Sequence, residues 1–448
     1  MRRRFGPTER LRGEVTPPAD KSISHRAALL GAMCDEPVTV RNFLAAADTR
    51  ATLRAVASLG AGVDDHAGEL MIRGVGLHGA FEPTGGVLDV GNAGTLMRVL
   101  PGWLAGQPGG RWTLDGDESI RRRPVDRVGD PLRAMGAQLE AADGLPPLTG
   151  TGRQLHAARH ELPVASAQVK SCLLLAGLIA AGETLVAEPS ASRDHTERML
   201  ARARAPIRRE GLEMRVSATD ELELDEVDVP GDPSSAAFMV AAAAVVPGSR
   251  LVVRDMALNW TRTGFLRIAE RMGAVIVGDL EQPPGAHGAA LEAGARAPSA
   301  EPGATREPAG ELDVSAAPLE ATVVGAEEVP LAIDELPLVA LLGCYAEGDT
   351  VVQGAAELRV KESDRVAGVV EGLRGLGAEL EATSDGFVVH GPCEPRGGTF
   401  AAHGDHRMAM LGAIAGLASR DGVEFEGIEA VEVSYPGFEA DLRSLAGG

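Results

Sequence analysis

A helix N-terminus carries roughly half a positive charge from its aligned peptide dipoles, so cations are disfavoured there and anions are stabilised. This sequence places cations at such starts repeatedly. Lys21 and Arg26 open one apolar helical pattern, Lys361 and Arg365 a second, and Arg407 a third. Arg123 precedes Pro124, a residue type suited to the first helical position. Lys361 and Arg365 are also four apart, a like-charge spacing that costs roughly 0.2–0.5 kcal/mol on an isolated helix. A bound anion reverses both penalties, because backbone N–H groups, the dipole and basic side chains together form an anion site. Gly91-Asn92-Ala93-Gly94-Thr95 adds a compact loop whose glycines let the backbone approach a ligand closely. The plainer reading is surface salt bridges, with Asp364 and Asp405 as partners. It suits any single cation better than it suits four helix starts together. The pattern predicts a cleft that binds more than one anionic group.

Acid–base candidates lie beside these cations. Glu362 stands between Lys361 and Arg365, and Asp334-Glu335 opens another helical pattern. A carboxylate flanked by cations is held in its charged form, so it can act as a base or as an electrostatic partner. Asp334 reads equally well as a helix N-cap. His25, His195, His403 and His406 read as orienting hydrogen-bonders. Neither GxxxxGK[ST] nor GxSxG occurs, so P-loop nucleotide-binding and serine-hydrolase readings lack their signatures. Cys34, Cys172, Cys344 and Cys393 form no CxxC pair. Cys172 and Cys344 sit in apolar helical runs and read as buried thiols.

The elements that carry these residues repeat. A polar or glycine-containing phrase opens a small-residue apolar helix at six places, marked by Ser22, Gly94, Ser166, Ser234, Glu335 and His406. The steps between them are 72, 72, 68, 101 and 71 residues. A second phrase keeps the same beat: Leu59-Gly60-Ala61, Met135-Gly136-Ala137, Met272-Gly273-Ala274 and Leu376-Gly377-Ala378 end helical patterns and lead into alternating segments. Glycine there suits a helix C-cap and alternation suits a strand, with Asp385-Gly386 as a hairpin turn. Units of about 70 residues that alternate helices and strands predict an α/β (α+β) protein in two three-unit halves. The expected division gives residues 19–231 to one domain and 1–18 with 232–448 to the other, the chain crossing near Pro17–Asp20 and Pro230–Asp232. The long step holds a Pro-, Gly-, Ala- and Glu-rich stretch at 283–311, which reads as a flexible surface insertion.

Composition bounds the partners. With 43 Lys and Arg against 64 Asp and Glu, the formal charge is −21, which argues against nucleic acid or an anionic membrane held by bulk charge. Glycine, 56 of 448 residues, is about 12% against a usual value near 7%. With aromatics at only 3%, the core must be alanine, leucine and valine packed closely. The arginines after Met1 are followed by Phe5-Gly6-Pro7 rather than an apolar stretch, and the longest apolar run, Ala236 to Val246, is too short to span a bilayer. The sequence reads as soluble, cytoplasmic and metal-free.

Eight motifs in order are similar to those of the 5-enolpyruvylshikimate-3-phosphate (EPSP) synthase family of enolpyruvyl transferases, the 3-phosphoshikimate 1-carboxyvinyltransferases. They are Lys21-Ser22-Ile23-Ser24-His25-Arg26, Gly91-Asn92-Ala93-Gly94-Thr95, Arg123-Pro124, Ser166-Ala167-Gln168-Val169-Lys170, Ser192-Arg193-Asp194-His195-Thr196, Ile333-Asp334-Glu335-Leu336-Pro337, Arg359 through Arg365 and Gly404-Asp405-His406-Arg407. The resemblance runs from about Pro17 to Phe438. It implies two similar domains, each of three βαβαββ-like repeats (an inside-out α/β barrel), with the active site in the interdomain cleft. It implies transfer of the enolpyruvyl group of phosphoenolpyruvate to the 5-hydroxyl of shikimate-3-phosphate, on the route to chorismate and aromatic amino acids. The enzyme would need no cofactor or metal, and would act as a monomer.

Carried over position by position, Lys21, Ser22, Arg26, Ser166, Ala167, Gln168, Arg193, Asp334 and Lys361 resemble the shikimate-3-phosphate contacts. Lys21, Asn92, Gly94, Arg123, Gln168, Arg365 and Arg407 resemble the phosphoenolpyruvate pocket. Asp334 would take the 5-hydroxyl proton, Glu362 would exchange a proton at the methylene carbon, and Lys21 would stabilise developing charge. Arg98 and Lys170 would support these contacts. There are departures: Ala167 stands where some members have a second serine, Glu357 where some have asparagine, Val99 where some have proline, and Val433 where some carry a phosphoenolpyruvate-binding lysine. Gly94 is retained where certain glyphosate-tolerant members carry alanine, so the pocket is expected to admit glyphosate. The sister transferase acting on UDP-N-acetylglucosamine would carry Lys-Asn at the first motif and a cysteine in the loop around Arg123. Lys21-Ser22 and the cysteine-free 118–124 segment differ from both. A non-catalytic phosphometabolite binder would have no need of both Asp334 and Glu362.

Overall fold

The structure, a computed structural model, describes residues 2–66, 68–83, 85–284 and 306–447. Each of the six phrases forms a helix: Lys21–Met33, Gly94–Leu104, Ala167–Gly177, Pro233–Val245, Leu336–Tyr345 and His406–Ala418. Side chains just outside them accept first-turn N–H groups: Asp20 from Ile23, Ser166 from Val169, Asp232 from Ser234 and Asp405 from Arg407. Such caps satisfy donors that no carbonyl can reach. Every residue of Pro233–Val245 is buried, as expected of a helix that is apolar all round.

A second helix follows in each repeat, and four of these end where the sequence placed a glycine. Gly60, Gly136, Gly273 and Gly377 have φ of 106°, 94°, 104° and 96°, the left-handed conformation that closes a helix without a Cβ clash. The strands after Gly60, Gly136 and Gly377 form hairpins; Leu380–Ala382 and Phe387–Gly391 pair antiparallel with Ala382 opposite Phe387, the turn spanning 383–386.

Sheet topology repeats as well. Val87–Asp89 pairs parallel with Arg111–Asp115, which pairs antiparallel with Leu145–Thr151, itself antiparallel to Gln138–Ala142. The same order recurs in Arg159–Glu161, Glu183–Ala187, Glu213–Ser217 and Ile207–Glu210. Distant segments supply the parallel edge elsewhere: Glu226–Asp228 for Val38–Arg41, and Arg12–Val15 for Arg250–Ala257. In the last repeat Arg2–Phe5 pairs antiparallel with Val423–Glu426.

The chain divides into two compact units. A terminal unit comprises Met1–Pro18, Pro230–Pro284 and Pro308–Gly448; a central unit comprises Ala19–Val229 and Gly285–Glu307. Each has its own continuous apolar core. Besides the passages after Pro18 and Val229, the chain passes from the central to the terminal unit after Glu307, which the sequence did not predict. Most of the expected insertion, 285–305, lies outside the described residues. Its C-terminal edge is not loop, because the strand Ala309–Ser315 begins inside the 283–311 stretch.

Two local expectations need correction. Pro124 is not helical: the helix starts at Asp126, and Arg123 follows the short helix Glu118–Arg121. Lys361 is not in the helix of Arg365, which runs Arg365–Gly375 with Asp364 as cap. The like-charge spacing therefore never occurs on helical backbone.

Close approach explains the glycine content. The helices Gly94–Leu104 and Ala167–Gly177 touch at Gly102, where a Cβ would lie 2.0 Å from the Cys172 carbonyl oxygen. Both atoms belong to backbone, so neither can yield cheaply. Gly102→Ala should cost about 1–3 kcal/mol, the range for overpacking, while Gly6→Ala, with nothing within 4 Å, should cost almost nothing. Urea unfolding midpoints compare them; equal midpoints would refute the close-packing account.

Candidate active site

In the terminal unit, three carboxylates converge on one guanidinium. Arg365, 1% exposed, donates through Nε to Asp405 Oδ2 at 2.8 Å, through Nη2 to Glu362 Oε2 at 2.6 Å, and through Nη1 to Asp334 Oδ1 at 3.1 Å. Burial alone would lower the Arg365 pKa; the charges of Asp405, Glu362 and Asp334 more than reverse it, and the net shift is upward. Asp405 moves the other way: burial would raise its pKa, and the charges of Arg365 and His406 pull it below the ordinary value. Arg407 Nη2 lies 3.5 Å and Lys361 Nζ 3.7 Å from Asp334. One carboxylate thus faces three cations, with Glu362 alongside.

Local structure places these groups. Asp405 caps the His406–Ala418 helix while holding Arg365, and Asp334 sits in the turn before the Leu336–Tyr345 helix. Asp334 is therefore no N-cap; the cap position belongs to Glu335, 3.7 Å from Arg407. The surface-salt-bridge reading fails for Asp405, which is fully buried. Asp364 pairs with Arg359.

In the central unit, four helix starts are cross-tied. Arg26, 3% exposed, donates to Thr196 Oγ1 at 2.7 Å, Ser171 Oγ at 2.9 Å and the Ser22 carbonyl at 3.0 Å. Arg193 Nη1 reaches Ser22 Oγ at 3.4 Å, and Lys21 Nζ lies 3.2 Å from Asp48. Gln168 accepts from Arg98 at 3.0 Å and donates to Thr95 at 3.1 Å, joining the Gly94 and Ala167 starts. Arg123 is held by Ser119 and Asn92 by Asp117. Beneath them Lys170, fully buried, bridges Glu188 at 2.6 Å and Glu197 at 2.7 Å. Burial would lower the Lys170 pKa, and the charges of Glu197 and Glu188 instead raise it.

The description "EPSP synthase (3-phosphoshikimate 1-carboxyvinyltransferase)" belongs to the family model that matches residues 6–442. The chain belongs to the EPSP synthase family.

Curated relatives agree. The chain is 47% identical to the 3-phosphoshikimate 1-carboxyvinyltransferase of an Anaeromyxobacter species, covering 100% of this chain and 98% of that one. It is 45% identical to the same enzyme of Alkalilimnicola ehrlichii, covering 98% and 94%. Among solved structures, EPSP synthase from Acinetobacter baumannii matches with a TM-score of 0.83 and 37% identity over 99% of this chain and 98% of that one. The enolpyruvyl transferase NikO of Streptomyces tendae, at 18% identity and a TM-score of 0.74 over 99% and 96%, shares the fold.

The family motifs thus assemble into two groups. Lys21, Ser22, Arg26, Asn92, Gly94, Arg123, Ser166, Ala167, Gln168 and Arg193 belong to the central unit, and Asp334, Lys361, Glu362, Arg365 and Arg407 to the terminal unit. Sequence reasoning missed Asp48, which pairs with Lys21, and Ser171, which accepts from Arg26, as well as Glu188 and Glu197, which hold Lys170. A buried charge near a helix start requires a counter-charge, but spacing cannot say which distant residue supplies it. Val433 ends a 3₁₀ turn, Ile428–Val433. Among the described residues no cluster of His, Cys, Asp and Glu stands ready for a metal.

His25 lies between Lys21 and Arg26 in sequence, with Nδ1 2.7 Å from Thr52 Oγ1. Burial, then the charges of Lys21 and Arg26, lower its pKa well below 6.5. The native ring stays neutral where the unfolded chain takes up a proton. Its stabilising contribution is therefore complete above about pH 6.5 and lost as pH falls toward the depressed native value. His25→Gln, which cannot titrate, should show a shallower loss of stability between about pH 7 and 5. Urea midpoints across that range check this; parallel slopes would count against it.

Proposed function

We propose that the cation clusters of the two units are the substrate sites of the family reaction, transfer of the enolpyruvyl group of phosphoenolpyruvate to the 5-hydroxyl of shikimate-3-phosphate with release of phosphate. The protein is a shikimate-pathway enolpyruvyl transferase. The assignment of roles rests above all on Asp334, a carboxylate surrounded by Lys361, Arg365 and Arg407 and adjoined by Glu362. Cations so placed attract an anionic substrate to a group able to take a proton from its partner.

Lys21, Ser22, Arg26, Ser166, Ala167, Gln168 and Arg193 hold shikimate-3-phosphate, with Asp334 and Lys361 at its reacting end. Asn92, Gly94, Arg123, Gln168, Arg365 and Arg407 hold phosphoenolpyruvate, and Lys21 serves both. Asp334 accepts the 5-hydroxyl proton as the oxygen bonds to C2, and C3 takes a proton from the Glu362 carboxyl. Loss of a C3 proton to Glu362, as the C2–O bond to phosphate breaks, restores the double bond. Preformed charge of this kind stabilises charge that develops in the transition state. No helix among the described residues is long and apolar enough to cross a membrane. We place the enzyme in the cytoplasm as a monomer.

Phosphate release from phosphoenolpyruvate should require shikimate-3-phosphate; release with UDP-N-acetylglucosamine, or with neither acceptor, would overturn the reading. Asp334→Ala should still bind shikimate-3-phosphate yet turn over at least about a hundredfold more slowly, the usual span for an acid–base group. Undiminished turnover would remove its assigned role. A Cβ at Gly94 would lie 2.9 Å from Arg123 Nη1, the far end of a flexible side chain. Gly94→Ala should therefore fold normally, raise the KM for phosphoenolpyruvate and weaken inhibition by glyphosate. Unchanged KM and inhibition in steady-state assays would separate Arg123 from that pocket.

A further inference from the structure

The five residues Ser192 to Thr196 are fixed one side chain at a time. Ser192 donates to Glu188, itself paired with Lys170. Asp194 accepts from Arg198 at 2.9 Å. Thr196 accepts from Arg26 at 2.7 Å and contacts Ser171 at 2.6 Å. Arg193 reaches Ser22. The remaining member, His195, opens the His195–Arg202 helix and places Nδ1 2.5 Å from Glu307 Oε1, with side-chain exposures of 0% and 7%. Glu307 lies 112 residues away in sequence. Next to it the Arg306 carbonyl accepts from Arg198 at 3.4 Å, so two successive residues rest on the first turn of that helix.

We propose that Glu307 is a positioning residue for the shikimate-3-phosphate site, acting through His195 to fix the helix start that carries Arg193 and Thr196. The inference rests on the substrate assignment above. A carboxylate so enclosed does not pack there for its own sake: burial would raise the Glu307 pKa, and the charge and hydrogen bond of His195 more than reverse this, leaving it lowered. An ionised carboxylate only accepts, so His195 donates from Nδ1, and a charge-assisted bond of this kind is both short and directional. It fixes the ring, and through it the backbone on which Arg193 and Thr196 are the neighbours. Thr196 in turn orients Arg26. Two of the cations assigned to shikimate-3-phosphate thus depend on a residue whose own sequence neighbourhood, Arg306-Glu307-Pro308, carries no family motif.

Glu307→Ala, Glu307→Gln and Glu307→Asp, made in the full chain, test this by steady-state kinetics, shikimate-3-phosphate titration calorimetry and thermal unfolding. Glu307→Ala should raise both the KM and the Kd for shikimate-3-phosphate by about tenfold or more, the scale of a lost hydrogen bond to a charged group. The KM for phosphoenolpyruvate and kcat should stay within about threefold of wild type. Glu307→Gln, whose amide oxygen still accepts from Nδ1, should recover part of the loss. Wild-type affinity in Glu307→Ala would overturn the inference, as would an equal loss for both substrates and kcat that tracks a fall in Tm. Should Glu307→Ala fail to fold, wild-type affinity in both Glu307→Gln and Glu307→Asp would overturn it instead. A wild-type chain that neither binds nor turns over shikimate-3-phosphate would overturn the substrate assignment itself; wild-type binding matched by Glu307→Ala defeats only the role of Glu307.

Discussion

The structure depends on holding cations at helix starts, where the peptide dipoles oppose them. Each such cation is both repelled by the dipole and, once buried, stripped of water. The protein offsets this with carboxylates rather than with exposure. Arg365 has Asp405, Glu362 and Asp334; Lys170 has Glu188 and Glu197; Arg262 has Asp232. Removing one member of such a buried set leaves an uncompensated charge, which is why these groups behave as units.

Those carboxylates do double duty. Asp405 and Asp232 cap the helices whose first turns they adjoin, so the element that creates the positive end also carries the group that fixes the cation there. A cation locked by a carboxylate keeps its orientation while no substrate is bound. In the roles proposed for these cations, an arriving phosphate or carboxyl group meets preorganised donors and need not order flexible side chains. Asp334 differs from the caps: it sits in the turn before its helix, where Glu335 holds the cap position, and its side chain stays 14% exposed.

Small residues make this geometry possible. Helix axes come close where side chains are nearly absent, as at Gly102 against Cys172, and helix meets sheet closely at Gly177 against Val216 and Thr184. The low aromatic content and high glycine content are consequences of that closeness. The acidic balance, −21 overall, belongs to the exterior and has no bearing on ligands bound in the minority of buried basic sites.

The repeat, its helix starts and its glycine-capped helix ends were legible in the sequence, because capping, left-handed glycine and apolar periodicity act over a few residues. So were the family motifs, since each is a short run of neighbouring residues. Misreadings arose where a neighbour outside the motif decides. Pro124 looked like a helix start, but Val125 holds the cap position and the helix begins at Asp126; Lys361 looked helical, but Asp364 caps one residue before Arg365. The partners of the buried charges, and Glu307 above all, could not be read, because a contact across 112 residues leaves no local period. Sequence by itself determined which elements form and where the family motifs fall along the chain. Only the tertiary structure decided which carboxylate meets which cation, since burial couples charges by distance in space, and separation along the chain does not measure it.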